Sequence, residues 1–163
     1  MADPNFSNSV TYIEVMVETA PDADTYSKPC GMNGRTFTRS NASFETEFAS
    51  CTVGQAGNRV RAEGIDDWTI SGSGVMTSDA FDIFDNWKSG VAANRGPRKV
   101  IVIAYTGDSN SLVTHRHYIM TGLLTSLSMP QGANNELVTT DIEIQAANGT
   151  VEMIDGAFTG TVV

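Results

Sequence analysis

His115 and His117 stand two positions apart in THRHY, so an extended chain turns both imidazoles to one side, where they could share a metal ion. A zinc site needs further ligands at workable spacing. Cys30 and Cys51 lie 21 positions apart, neither in a CxxC pair, and supply none. Their spacing calls for no disulfide and forbids none, and two thiols are the default. A pair of solvated or hydrogen-bonded histidines at a strand entrance is the favoured reading. The GDSNS segment offers Asp108 and Asn110 as oxygen ligands but lacks the remainder of a calcium loop, its closing glutamate above all, and reads as a turn. Ser73 lies between Gly72 and Gly74 without the GxSxG elbow, and no GxxxxGK[ST] phosphate loop occurs. What remains is the carboxylate pair Asp141 and Glu143 in TTDIEIQAANG, whose character is electrostatic and not catalytic. Neither an enzyme nor a cofactor is expected.

Strands must hold these groups. From Thr139 to Ala146 the odd positions Thr139, Asp141, Glu143 and Gln145 are polar, while Thr140, Ile142, Ile144 and Ala146 are mostly apolar, the period of a half-buried strand. One face meets a core and the other offers carboxylates to water. This strand is expected to end before Asn148 and Gly149. Ahead of it, HYIMTGLLTSLSM shifts its apolar phase from even positions (Tyr118, Met120) to odd ones (Leu123, Leu127, Met129), which places a bulge at Gly122.

VTYIEVMVET gives a first strand, with Ile13, Val15 and Val17 on one side. The Pro-, Asp- and Gly-dense residues 21–36 and the polar residues 52–64 are expected as loops, and the stretch from Arg35 to Val53 as extended chain. DWTISGSGVMT is a strand with Trp68, Ile70 and Met76 on one face and with Gly72 and Gly74 marking a bulge or close backbone approach. SDAFDIFDNWKSG is the one helix, Ser78 to Lys88. Ser78 or Asp79 caps it, Phe81, Phe84 and Trp87 form its apolar stripe, and Gly90 stops it. KVIVIAY, apolar on both faces, is a central covered strand. Two basic spots, Arg59 with Arg61 and Arg95 with Arg98 and Lys99, are expected in polar loops. Six or more strands and one helix make a mainly β domain, a sandwich or partly closed barrel with one flanking α-helix.

The chain has 163 residues, enough for a single domain over 1–163 with a core of its own. Its formal charge of −9 argues against a surface that grips nucleic acid, which needs clustered Lys and Arg. MADPNFSNSV has neither the basic nor the apolar region of a secretory signal, and the longest apolar run, Val100 to Tyr105, is too short to span a membrane.

This order of elements, with the strand–SGSG–helix passage and the closing GLLTSLS and TTDIEIQAANG strands, resembles the tail tube (major tail) proteins of long non-contractile phage tails and of gene transfer agents. The resemblance covers residues 10–155. It implies six-fold rings stacked head to tail into a hollow tube that conducts DNA from capsid to host, in a virion tail made in the host bacterial cytoplasm. Partners would be other copies of the chain, a tape measure protein inside, and tail terminator and distal tail proteins at the ends, with DNA in transient, non-specific passage. No immunoglobulin-like domain, which some members carry, is expected after Val163. The ends, 1–9 and 156–163, are expected to be flexible.

Carried onto this sequence, the resemblance implies a lumen lined by Asp141 and Glu143, with Glu45 and Glu47 as weaker candidates, so that an acidic bore repels DNA and does not hold it. Arg35, Arg39, Arg59, Arg61 and Glu63 would contact neighbouring subunits or rings. The helix, through Phe81, Phe84 and Trp87, would buttress the barrel from outside. Two alternatives stand beside this: a secretion-tube subunit of the Hcp type, carrying protein, and a monomeric ligand-binding β-barrel in which Met76, Phe81, Phe84, Met120 and Met129 line a pocket.

Overall fold

A computed structural model describes residues 10–48, 58–107, 111–129 and 137–163; for residues 42–48 and 58–65 it describes the backbone alone. Residues 1–9 and Cys51 lie outside the described residues. The elements in chain order are β1 (Val10–Glu18), β2 (Thr25–Ser27), β3 (Met32–Phe48), β4 (Asn58–Gly74), α1 (Ser78–Ser89), β5 (Arg98–Thr106), β6 (Val113–Ser128), β7 (Thr140–Asp155) and β8 (Thr161–Val162). The strands form one sheet in the order β3-β4-β7-β6-β5-β1-β2-β8. Every pairing is antiparallel except the short parallel contact of β8 with β2.

Hydrophobic patterning sets this order. In β5, residues 100–104 are all buried, which suits a strand flanked by β1 and β6 and covered on both faces. One face of the sheet gathers Val15, Val17, Met32, Trp68, Ile70, Val100, Val102, Met120, Leu124, Ile142 and Ile144 around Phe84 and Trp87 of α1. A smaller cluster on the opposite face joins Met16, Tyr26, Ile101 and Ile103, with Phe158 of the C-terminal segment packed against it. Phe158 meets Tyr26 edge to face at 5.2 Å and His117 at 5.7 Å.

The sheet curls until β3, its edge, faces β1. The Arg35 guanidinium of β3 spans this seam, donating to the Ile13 carbonyl at 3.1 Å and to the Tyr12 hydroxyl at 2.7 Å, and it lies over the Tyr12 ring. Phe37 of β3 meets Tyr118 of β6 at 5.5 Å across the interior. The architecture is thus mainly β, a partly closed barrel with one flanking helix, as the sequence pattern predicts.

Several local expectations change. The cap of α1 is Thr77, whose Oγ1 accepts from the Ala80 N–H at 3.4 Å; neither Ser78 nor Asp79 fills the position. The buried stripe is Ala80, Phe84 and Trp87, with Phe81 half-buried at its side. Residues 58–64 are strand and not loop, because β3 and β4 continue as a two-stranded ribbon past the point where β4 leaves β7 at Thr69. The segment 21–36 holds β2 and the start of β3, so its loop portion is shorter than expected.

The register of β6 slips at Gly122, where a bulge is expected, and again at Thr125, where the buried phase changes. Met120, Gly122 and Leu124 stay buried in sequence, Leu123 is exposed, and the register slips between Leu124 and Ser126. The slip between Met120 and Gly122 loops out Ala147 to Thr150 of β7, so that strand runs through Asn148 and Gly149 and on to Asp155. Arg98 and Lys99 belong to β5 and not to a loop. Arg98 is buried, donating to the carbonyls of Glu18 (3.2 Å), Thr19 (2.9 Å) and Asn94 (3.0 Å) with its guanidinium over Trp87, and Lys99 pairs with Asp24.

Candidate functional site: a hydroxyl-lined acidic face

Because β7 alternates, Ile142 and Ile144 enter the core beside α1 while Asp141, Glu143 and Gln145 point to the opposite side of the sheet. The register extends this polar side across four strands. Asp141 stands opposite Ser73 of β4 and Ser128 of β6, Glu143 opposite Ser71 and Ser126, and Gln145 opposite Thr69. One strand further, Gly34, Thr36 and Thr38 of β3 face Ser73, Ser71 and Thr69. The result is a lawn of short hydroxyls with two carboxylates set in it. An open hollow of about 390 Å³ lies on this lawn, lined by Thr36, Ser71, Ser73, Ser126, Asp141 and Glu143 among others.

The bulge at Thr125 fixes which side chains join this face. Its Oγ1 donates to the Glu143 carbonyl at 3.1 Å. Lys88, from the last turn of α1, donates to the Thr125 carbonyl at 2.7 Å and to that of Leu124 at 3.4 Å. The helix therefore occupies backbone acceptors at the slip in the ladder, and beyond the slip Ser126 stands opposite Glu143. On the face itself, Gln145 Nε2 donates to Glu143 Oε1 at 2.6 Å, orienting that carboxylate.

The other expected residues are dispersed. Glu45 and Glu47 lie on the β3–β4 ribbon, in register with Arg61 and Arg59 respectively, and Glu63 opposes Ser43; the side chains of these residues lie outside the described set. Arg35 is engaged within the chain at the barrel seam, and Arg39 pairs with Asp66 at 3.6 Å. Phe84 and Trp87 are buried on the far side of the sheet from Asp141 and Glu143. His117 is buried with Nδ1 2.8 Å from the Gly156 carbonyl, and His115 is exposed, so the histidines are a hydrogen-bonded and a solvated residue as expected. Cys30 is free and exposed. Among the described residues no three His, Cys, Asp or Glu side chains form a metal-binding group, and no helix is long and apolar enough to cross a membrane.

A second polar cluster sits on the opposite part of the wall. The Tyr105 hydroxyl donates to Glu14 Oε2 at 2.7 Å, and Glu14 also pairs with Lys28. Burial first, and then the Glu14 carboxylate, push the Tyr105 phenol up to about 12. Sequence reasoning missed the hydroxyl lawn, although its signal was present: in RTFTRS and TISGSG the hydroxyls recur at every second position, the spacing of one strand face.

The geometry thus defines a curled sheet that is apolar and helix-backed on one side and, across β3, β4, β7 and β6, largely polar on the other. The family model for phage tail tube proteins matches residues 12–152, and the chain belongs to that family. It is a structural protein of the tail tube of phage or phage-like particles. Similar folds occur in a chain of the PVC sheath–tube complex, an extracellular contractile injection system in its extended state (15% identity, 93% of this chain and 90% of that one, TM-score 0.58). They occur also in the tail of an empty gene transfer agent particle computed with C6 symmetry (12% identity, 89% and 96%, TM-score 0.58) and in the SPP1 tail tube (14% identity, 90% and 78%, TM-score 0.53). No curated protein matches the sequence significantly.

Proposed function

We propose that six copies of this chain close into a ring, that rings stack head to tail, and that the hydroxyl-lined face bearing Asp141 and Glu143 lines a bore through which DNA passes from capsid to host. The observation that carries this reading is the opposition of α1 and the carboxylates across one sheet: the helix backs the wall on one side while Asp141 and Glu143 occupy the other. Short hydroxyls keep the wall hydrated without long side chains to catch a passing strand, and the carboxylates repel phosphate. The C6 symmetry of the gene transfer agent tail supports the ring count. A tape measure protein would occupy the same bore during assembly, with terminator and distal tail proteins at the ends, and synthesis would take place in the host cytoplasm.

Size-exclusion chromatography with negative-stain microscopy tests the assembly: rings or hollow filaments are expected, and a persistent monomer would overturn it. The bore is tested by the double variant Asp141→Lys, Glu143→Lys, which should still form tubes but slow DNA ejection. Ejection at the parent rate would remove the lumen assignment. A protein-conducting tube is the second reading, favoured by the likeness to the PVC injection complex. A proteinaceous cargo found inside purified tubes would select it.

A further inference from the structure

Two groups of exposed apolar side chains stand at opposite ends of β6. At its start, Val113 is 63% exposed and Leu112 41%. Val113 pairs with Thr106 of β5, which pairs in turn with Val10 of β1, 54% exposed, so the group spans three adjacent strands. At the far end of β6, Met129 (54%) follows Ser128, Leu137 (75%) and Val138 (46%) lead into β7, and Val75 (39%) follows Gly74, the partner of Thr140. This group also spans three strands, about 10 Å at ordinary strand spacing. The 16 residues of β6 hold the two groups about 50 Å apart.

We infer that these two rims are the two halves of the axial contact between copies: the rim of Val10, Leu112 and Val113 on one copy seats on the rim of Val75, Met129, Leu137 and Val138 on the next. The inference rests on the stacked-ring reading above and gives its axial contact a chemistry. A second copy is the occupant for a geometric reason. Patches at opposite ends of one strand axis cannot meet within a molecule, yet shifting a copy along that axis, with a sideways step of about two strand spacings (about 10 Å), brings one patch onto the other. Each such contact leaves one free rim of each kind at the two ends of the stack, the condition for open-ended growth. An end-to-end two-fold contact would bury one patch against itself and leave the other in water. Being apolar, the contact resists salt that would loosen ion pairs, and it weakens on cooling.

The test uses the full chain and single-rim variants. Val113→Glu and Leu137→Glu should each raise the protein concentration needed for tube growth about ten-fold or more, with the near-ultraviolet circular dichroism of the parent retained. Val113→Ser and Leu137→Ser should act in the same direction with smaller effect, which separates lost apolar contact from introduced charge and from misfolding. Mixed in equal amounts, the two glutamate variants retain one sound rim each, so their rings should join once and stop as stacks of two. Glutamate variants that grow tubes at the parent concentration, or a mixture that grows long tubes, would overturn the inference while leaving the stacked-ring reading in place. A parent that forms no tubes would overturn both.

Discussion

The Trp68 ring lies directly against the backbone at Gly122: a Cβ on that glycine would sit 2.5 Å from the Trp68 Cη2 and 2.7 Å from the Ile144 Cγ2. The glycine is there because an indole from β4 reaches across β7 to β6, filling the space a side chain would need. Gly122→Ala should therefore cost about 1–3 kcal/mol of stability, read as a lowered urea midpoint at unchanged slope. Trp68→Phe should recover part of that loss in the double variant, so that the cycle shows coupling between the two sites.

The cap of α1 separates two neighbouring hydroxyls. Thr77→Ala removes the acceptor for the Ala80 N–H and should cost about 1 kcal/mol. Ser78→Ala should stay within about 0.5 kcal/mol, because Ser78 already lies inside the helix. Thermal unfolding of the two variants side by side checks the assignment.

Arg98 ties the end of β1, the segment before β5 and the helix together, since its guanidinium donates to three carbonyls and covers Trp87. Arg98→Met should cost about 3 kcal/mol or more by stranding those acceptors. Arg98→Lys should recover little, because one ammonium lacks the planar fork that reaches Thr19 and Asn94 together. Denaturant unfolding measures both.

Tyr105 makes a prediction about alkaline pH. Its folded value of about 12 exceeds the ordinary value near 10. The folded state then keeps its proton while the unfolded state loses it. The contribution to stability is complete below about pH 10 and is lost as pH rises toward 12. In an absorbance titration of the four tyrosines, the last step should disappear in Tyr105→Phe. In Glu14→Gln that step should move down without reaching the ordinary range, since burial, the larger cause, remains.

Where a strand packs on the core, the sequence was legible. The alternation in TTDIEIQA and the continuous apolar run in KVIVIAY each report a strand with a definite environment, and both stand where expected. The ribbon half of β4 was not, because NRVRAEG offers only Val60 and Ala62 among polar residues and a glycine, too short an apolar period to outweigh a loop reading. In β6 the sequence pattern marks the slip at Gly122 but not the second one at Thr125, since Leu123 counts as apolar although it faces solvent. Arg98 gave no sign of burial, because a basic residue beside a loop looks the same whether water or three carbonyls surround it. For the polar face, the carboxylates were visible as charges, whereas the hydroxyls around them needed the register of four strands to become neighbours.

The Arg35 bridge has a mechanical consequence. Elsewhere the barrel wall is stitched by backbone ladders, which fix spacing residue by residue, but among the described residues β3 and β1 share no ladder and are joined by the Arg35 side chain and the apolar core they share. A guanidinium on a flexible stem holds two strands near each other without dictating their separation. That seam is the compliant line of an otherwise stiff wall, so the curvature of the sheet can adjust there without breaking a strand pairing.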